Sequence, residues 1–113
     1  MQTPEEGYIL RIFLGESDKY GRRPLYEWIV MQARDMDMAG ATVLRGIMGF
    51  GPRTRTIHTF KIERLSEDLP IVIEIVDTAA KVESFLKYIA WFIKDGLITT
   101  EKVEIRLYRT LAE

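Results

Sequence analysis

Three glycines in six positions mark the part of this sequence best suited to binding a ligand. They are Gly46, Gly49 and Gly51; Arg45 precedes the first, and Phe50 lies between the last two. Glycine lets a backbone approach a ligand closely and adopt positive φ, and successive amide N–H groups in such turns can hold a phosphate. The pattern is neither a Walker loop nor a dinucleotide-binding fingerprint. A glycine-rich strand exit with a bulge explains it equally well on local grounds.

The segment that follows, residues 51–69, shows neither a helical nor a strand period. Its nineteen residues are long for a connection between two strands. Loops of this length are usually functional or disordered. Basic residues occupy the first half and acidic residues balance the second: Arg53, Arg55, His58 and Lys61, then Glu63, Glu67 and Asp68.

Two further turns contain chemically useful side chains. Residues 15–23, which include Glu16 and Lys19, are charged, aromatic and flanked by glycine, so this turn could hold a base or a ribose. Most turns of this composition are simply solvated. The second turn is Lys94-Asp95-Gly96, where a helix C-cap explains the glycine without a ligand.

The residue inventory argues against an enzyme. Cysteine is absent, which excludes disulfides, thiolate catalysis and thiolate metal sites. His58 is the only histidine, so a multi-histidine metal centre would require several chains meeting at a threefold axis. Ser17, Ser66 and Ser84 lack the nucleophile-elbow sequence of a serine hydrolase. We therefore predict no catalytic residues and no metal site.

Length and charge place the chain in a broad class. The 113 residues form one domain, 1–113, with a formal net charge of −1 that does not predict binding to nucleic acid or an anionic membrane. Apolar runs are far shorter than the ~20 residues that cross a bilayer. The first residues lack the basic start and apolar stretch of a signal peptide. A cytoplasmic location is expected.

Hydrophobic periodicity predicts four strands and two helices. The first helix begins at Pro24 and stops at Gly40, and the second is capped by Asp77 or Thr78 and ends at Gly96. The order βαββαβ predicts an α+β, ferredoxin-like sandwich. The predicted strands are residues 8–14, 41–48, 71–76 and about 102–108.

Both faces of the predicted sheet are apolar, whereas a solvated antiparallel sheet has one polar face. We therefore expect the second face to be buried against other copies of the chain in a closed cyclic oligomer. A monomer with an unusually apolar surface and scattered ion pairs is the alternative. The face expected under the helices comprises Tyr8, Leu10, Ile12, Leu14, Ile71, Ile73, Ile75, Val103, Ile105 and Leu107. The opposite face is expected to comprise Ile9, Arg11, Phe13, Val43, Arg45, Ile47, Val72, Glu74, Val76, Glu104, Arg106 and Tyr108.

Several motifs together resemble a PII-like family of unknown function, which is related to the PII nitrogen-regulatory signal proteins. The resemblance covers roughly residues 8–108, within a core of 7–109. It is most specific where the glycine-rich strand exit joins the Leu-Pro strand. The motifs are Gly15-Glu16, Asp18-Lys19-Tyr20, Arg23-Pro24-Leu25-Tyr26-Glu27, Ala41-Thr42-Val43-Leu44-Arg45-Gly46-Ile47-Met48-Gly49-Phe50-Gly51 and Leu69-Pro70-Ile71-Val72-Ile73-Glu74-Ile75-Val76-Asp77.

The resemblance implies a homotrimer with its sheets packed inward and an adenine nucleotide between subunits. It also implies that residues 51–69 correspond to the T-loop, which would order on binding and control a partner protein, such as a membrane ion transporter. The glycine- and lysine-rich turn of PII proteins is reduced here to Lys94-Asp95-Gly96, which favours AMP or ADP over ATP. The implied nucleotide-binding residues, with the nearby cations expected to meet phosphate, are Glu16, Lys19, Arg45, Gly46, Gly49, Phe50, Gly51, Arg53 and Gly96.

Two other functions remain open at this point. A trimeric metal- or anion-binding stress protein of similar fold would place metal at His58 or along the threefold axis. An RNA-binding ferredoxin-like module would stack bases on Phe13 and Tyr108, but the basic aromatic strand signature of an RNA-recognition motif is absent.

Overall fold

The computed structural model describes residues 5–51, 58–59 and 68–110. The elements in chain order are β1 (Glu5–Gly15), β2 (Lys19–Tyr20), β3 (Arg23–Pro24), α1 (Leu25–Asp35), β4 (Thr42–Arg45), β5 (Met48–Gly49), β6 (His58–Thr59), β7 (Pro70–Asp77), α2 (Ala79–Ala90) and β8 (Leu97–Ile105).

Four of these strands form one antiparallel sheet in the order β4-β7-β1-β8. The two central strands, β1 and β7, are rich in β-branched and aromatic residues, which favour a pleated, buried surface. Both helices pack on one face of this sheet. The ferredoxin-like α+β fold predicted from the sequence is confirmed.

The core lies between the helices and one face of the sheet, here called the helix face. Leu10, Ile12 and Ile73 are fully buried there, at 0% exposure. Alternate strand residues meet helix residues spaced by three or four positions, as the two periodicities require. The helix residues buried in this core are Leu25, Ile29, Ala33, Val82, Phe85 and Ile89.

Both helices end before the glycines that were predicted to stop them. α1 ends at Asp35 rather than Gly40, because Asp37 already adopts the left-handed conformation, with φ 61°. α2 ends at Ala90, and Gly96 lies instead in the turn before β8. Thr78 occupies the N-cap position of α2 without a side-chain capping hydrogen bond.

The predicted strand 41–48 is interrupted in the structure. β4 ends at Arg45, and Met48–Gly49 pairs with His58–Thr59 as a separate hairpin. The segment 51–69 therefore contains a short strand, which its sequence did not predict. The break comes at Gly46, whose N–H still donates to the carbonyl of Pro70 at 2.7 Å.

The register of β4 reverses the face predicted for its side chains. Val43 lies opposite Ile73 and Arg45 lies opposite Ile71, so both belong to the helix face. Thr42 takes a place on the other face, called here the back face, and so does Leu44. The predicted back-face positions of Val43 and Arg45 were wrong, and Ile47 follows the end of the strand.

The last strand differs from its prediction in both extent and face. β8 runs from Leu97 to Ile105, and Leu107 and Tyr108 lie beyond it. Ile98 lies opposite Ile12, so the even-numbered residues share the helix side. Val103 and Ile105 therefore lie on the back face and Glu104 on the opposite side, contrary to the prediction. Arg106 also follows the end of this strand.

The back face is nevertheless apolar, although several of its residues differ from those predicted. Its charged centre is Arg11, which contacts Glu74 at 2.9 Å and Glu101 at 3.1 Å across three strands. The hydrogen bond to Glu74, followed by that to Glu101, raises the pKa of Arg11 above its ordinary value. The surrounding apolar residues are Ile9, Phe13, Leu44, Val72, Val76, Leu97, Val103 and Ile105.

Neither helix within the described ranges has the length and apolar character needed to cross a membrane.

Candidate functional site

Three strands have an end at the same edge of the sheet, where β1 and β4 finish and β7 begins. Gly15 pairs with Pro70, and the N–H of Glu16 donates to the carbonyl of Leu69 at 2.8 Å. Arg45 pairs with Ile71 in the adjacent register. We call this region the strand-end site. Antiparallel pairing brings together here residues that are distant in the sequence.

An ion pair spans the strand-end site above the start of β7. Oε2 of Glu16 lies 2.9 Å from Nη2 of Arg45, and the two side chains are 27% and 49% exposed. Glu16 follows β1 and Arg45 ends β4, with β7 lying between these two strands. The guanidinium is the group at this site that can hold a phosphate or carboxylate by paired hydrogen bonds.

Asp68 makes the second charged contact of the site. Its Oδ1 accepts a hydrogen bond from the backbone N–H of Ser17 at 2.7 Å. The carboxylate also fills the space beside Gly15, where a Cβ atom would lie 2.4 Å from Oδ2. From the sequence, Asp68 was only one of the acidic residues of segment 51–69, since nothing local indicated a partner 51 positions away.

The turn after β1 is held in shape by its own polar groups. Oδ2 of Asp18 accepts from the N–H of Gly15 at 3.0 Å, and the Asp18 carbonyl accepts from the N–H of Leu25 at 2.7 Å. The first contact closes the turn, and the second joins it to the start of α1. The backbone N–H of Ser17 therefore belongs to a turn whose shape is held by hydrogen bonds.

Aromatic stacking anchors the rest of this turn to the helices. The ring of Tyr20 stacks on that of Trp28, with centroids 4.1 Å apart and planes 13° from parallel. Phe92 packs edge-on against Trp28 at 4.8 Å. Lys19 precedes Tyr20 in β2, opposite Pro24, and its side chain is exposed. The aromatic residues thus serve packing at this position.

Two glycines of the motif are explained by their approach to Pro70. A Cβ atom on Gly46 would lie 2.6 Å from Cγ of Pro70, and one on Gly49 would lie 3.1 Å from it. A Cβ atom on Gly51 would meet nothing within 4 Å. Within the described residues, the positive-φ glycines are Gly21 and Gly96, so the motif glycines do not use the positive φ that glycine permits.

The other residues predicted to bind the nucleotide add little to the described geometry of the site. Gly96 has φ 153°, and a Cβ there would lie 2.6 Å from the carbonyl oxygen of Phe13, so its packing on β1 requires glycine. Phe50 is 51% exposed. Arg53 lies outside the described residues. The structure therefore gathers Glu16, Arg45, Gly46 and Gly49.

Comparison with known proteins identifies relatives over almost the whole chain. The model of the DUF190 family, described as an uncharacterized ACR, matches residues 7–105. A UPF0166 protein of Aquifex aeolicus strain VF5 is 38% identical over 97 residues, which cover 86% of this chain and 90% of the relative.

Solved structures with similar folds include CPII, a nitrogen regulatory PII-like protein from Thiomonas intermedia K12. Its complex with ADP and bicarbonate aligns with a TM-score of 0.66 and 16% sequence identity, covering 96% of this chain and 100% of that one. Its complex with ADP, AMP and bicarbonate aligns with a TM-score of 0.67 and 15% identity, covering 95% and 94% of the two chains. At these identities the similarity establishes a PII-like fold.

Proposed function

This chain belongs to the DUF190 family and has a PII-like fold, and from that premise we propose that it is a non-enzymatic regulator that binds an adenine nucleotide. The ligand is AMP or ADP in preference to ATP. It lies between subunits of a homotrimer, with its phosphate at the strand-end site. The observation that supports this proposal most is the position of the Arg45 guanidinium, which lies at the end of β4 beside the glycine-rich segment.

The chemistry of the strand-end site supports a phosphate. A guanidinium and a backbone N–H, from Arg45 and Ser17, are both strong donors to phosphate oxygens. Gly46 and Gly49 pack against the ring of Pro70, which holds the glycine-rich segment beside these two donors. Lys19, Phe50, Gly51, Arg53 and Gly96 complete the proposed ligand surface. CPII, which shares the fold, was crystallised with ADP and AMP.

The back face supports assembly through the sheets. Leu44, Val76 and Leu97 are 49%, 37% and 55% exposed, a large apolar surface for a single chain in water. At the centre of this face, Arg11 forms ion pairs with both Glu74 and Glu101, so each of these charges has a partner of opposite sign. Packing three such faces together would cover the apolar residues and create clefts at the sheet ends.

Calorimetry with AMP, ADP and ATP tests the nucleotide directly. We expect heat from AMP and ADP and weaker binding of ATP, at protein concentrations where sedimentation shows the intact trimer. No heat from any of the three would refute the proposed ligand. A monomer in sedimentation experiments would refute the inter-subunit site.

Binding of a small anion is a second candidate, because the CPII structures also contain bicarbonate. A guanidinium can donate paired hydrogen bonds to a planar, carboxylate-like anion as well as to a phosphate. Titration with bicarbonate in the absence and presence of ADP separates the candidates. Heat from bicarbonate alone, with no response to nucleotide, would favour an anion-binding protein.

Control of a partner protein is the regulatory part of the proposal. The partner would engage residues 51–69, and the family resemblance favours a membrane ion transporter. Co-purification of a tagged chain with and without ADP tests this step, and the same partner must be lost when residues 52–67 are replaced by a short glycine linker. A cytoplasmic location stays a prediction from the sequence.

A further inference from the structure

Two carboxylates of the chain lie on the two donors that a phosphate would use. Glu16 is paired with the guanidinium of Arg45 at 2.9 Å, and Asp68 accepts from the Ser17 N–H at 2.7 Å. Ser17 directly follows Glu16, so the two contacts belong to one turn. Both donors of the strand-end site are therefore engaged with anionic oxygens of the chain itself.

A carboxylate and a phosphate compete for such donors because both are anionic oxygen acceptors. A phosphate oxygen that takes the Nη2 donor of Arg45 must replace the Glu16 carboxylate, which lies 2.9 Å from that nitrogen. Two like charges at that distance repel unless one moves or is protonated. The side chain of Glu16 is 27% exposed and has water to rotate into.

The backbone around these carboxylates is fixed more firmly than the carboxylates themselves. The Glu16 N–H is bonded to the Leu69 carbonyl at 2.8 Å, and Gly15 is paired with Pro70 in the sheet. Rotation of the Glu16 or Asp68 side chain breaks neither contact. Gly15 has no Cβ, which leaves the space that the Asp68 carboxylate occupies.

We propose that Glu16 and Asp68 act as internal competitors of the ligand phosphate, an inference that rests on the proposed function. Each occupies a donor proposed for the phosphate, and a phosphate that binds to that donor displaces the carboxylate side chain while the backbone stays in place. The two carboxylates set the affinity of the site. They disfavour uncharged ligands, because a neutral group does not replace a carboxylate on either donor.

To test this inference, the affinity for ADP is measured by calorimetry on the full chain, and the Glu16→Gln variant is compared with the wild type. Glutamine keeps the size and an acceptor oxygen but removes the charge. We expect ADP to bind about fivefold more tightly, the order of magnitude of a partly exposed ion pair. Adenosine, which has no phosphate, should bind Glu16→Gln and the wild type equally.

Glu104→Gln is the matched control. Glu104 also pairs with an arginine, Arg106 at 3.3 Å, but it lies opposite Glu6 at the far end of β1. Its substitution changes net charge by the same amount and should leave ADP affinity unchanged. Asp68→Asn is the second test variant, and it too should tighten ADP binding without affecting adenosine.

The outcomes separate this inference from the proposed function. If wild type binds ADP but neither Glu16→Gln nor Asp68→Asn binds it more tightly, the competitor role is overturned and the nucleotide site stands. If adenosine gains as much as ADP, the substitutions have loosened the site and the role is again overturned. If wild type binds no nucleotide, the proposed function fails and this inference fails with it.

Discussion

Gly46 packs so closely on Pro70 that a Cβ atom on the glycine would lie 2.6 Å from Cγ of the proline ring. The contact joins the end of β4 to the start of β7, and the N–H of Gly46 donates to the Pro70 carbonyl at 2.7 Å. Since the ring is rigid, a side chain at position 46 must move the backbone. The first glycine of the motif is thus required by the fold, whatever it does for a ligand.

Gly46→Ala tests that requirement. We expect the free energy of unfolding to fall by about 1–3 kcal/mol, the usual cost of overpacking, as measured by urea denaturation. Gly51→Ala is the control, because a Cβ there meets nothing within 4 Å. Equal stability of the two variants would contradict the close approach to Pro70.

Arg45 and Glu16 should affect nucleotide binding in opposite directions. Arg45→Met removes the guanidinium while keeping much of the side-chain volume. We expect ADP affinity to fall about tenfold to a hundredfold, as for a lost hydrogen bond between charged groups. Calorimetry on the two single variants checks the signs. Weaker binding in Arg45→Met and also in Glu16→Gln would indicate that the ion pair only maintains the site's shape.

Arg11 should control assembly through the back face. Arg11→Ala leaves Glu74 and Glu101 facing each other without their shared cation, in a surface proposed to be buried between subunits. We expect trimers to dissociate to monomers in sedimentation velocity experiments. Arg106→Ala removes an exposed arginine outside the sheet and should leave the trimer intact. An unchanged trimer in Arg11→Ala would place the subunit contact elsewhere.

Asp77 should be important for stability rather than for binding. The residue is 4% exposed, and its carboxylate accepts hydrogen bonds from the N–H groups of Ala39 at 2.8 Å and Thr78 at 2.7 Å. Asp77→Ala leaves two donors without this acceptor and should lower the free energy of unfolding by about 3 kcal/mol. Urea denaturation measures the loss.

Asp35→Ala is the control for Asp77→Ala, because Asp35 is exposed and pairs only loosely with its neighbour Arg34, at 3.4 Å. A loss below about 0.5 kcal/mol is expected there. Similar losses in the two variants would mean that Asp77 is not an essential acceptor. The ADP affinity of Asp77→Ala should match wild type while the variant remains folded.

From the sequence alone, only those parts of the site could be recognised whose residues lie close together in the chain. The glycine spacing from Gly46 to Gly51 and the composition of the turn after β1 were visible in the chain. The contact between Ser17 and Asp68 joins residues 51 positions apart, and the pair of Arg45 and Glu16 joins residues 29 apart. No periodicity or propensity reports such a pairing, because it depends on which strands become neighbours.

The sequence by itself determined the order of the two helices and the four strands of the main sheet, and the apolar character of both faces of that sheet. These follow from side-chain periods of 2 and 3.6, which act over a few residues. Only the tertiary structure decided which face each residue of β4 and β8 takes, since a shift of one residue in register exchanges the faces. That register puts Val43 on the helix face and Ile105 on the back face, and the pairing of β1 with β7 brings Glu16 and Asp68 to the strand-end site.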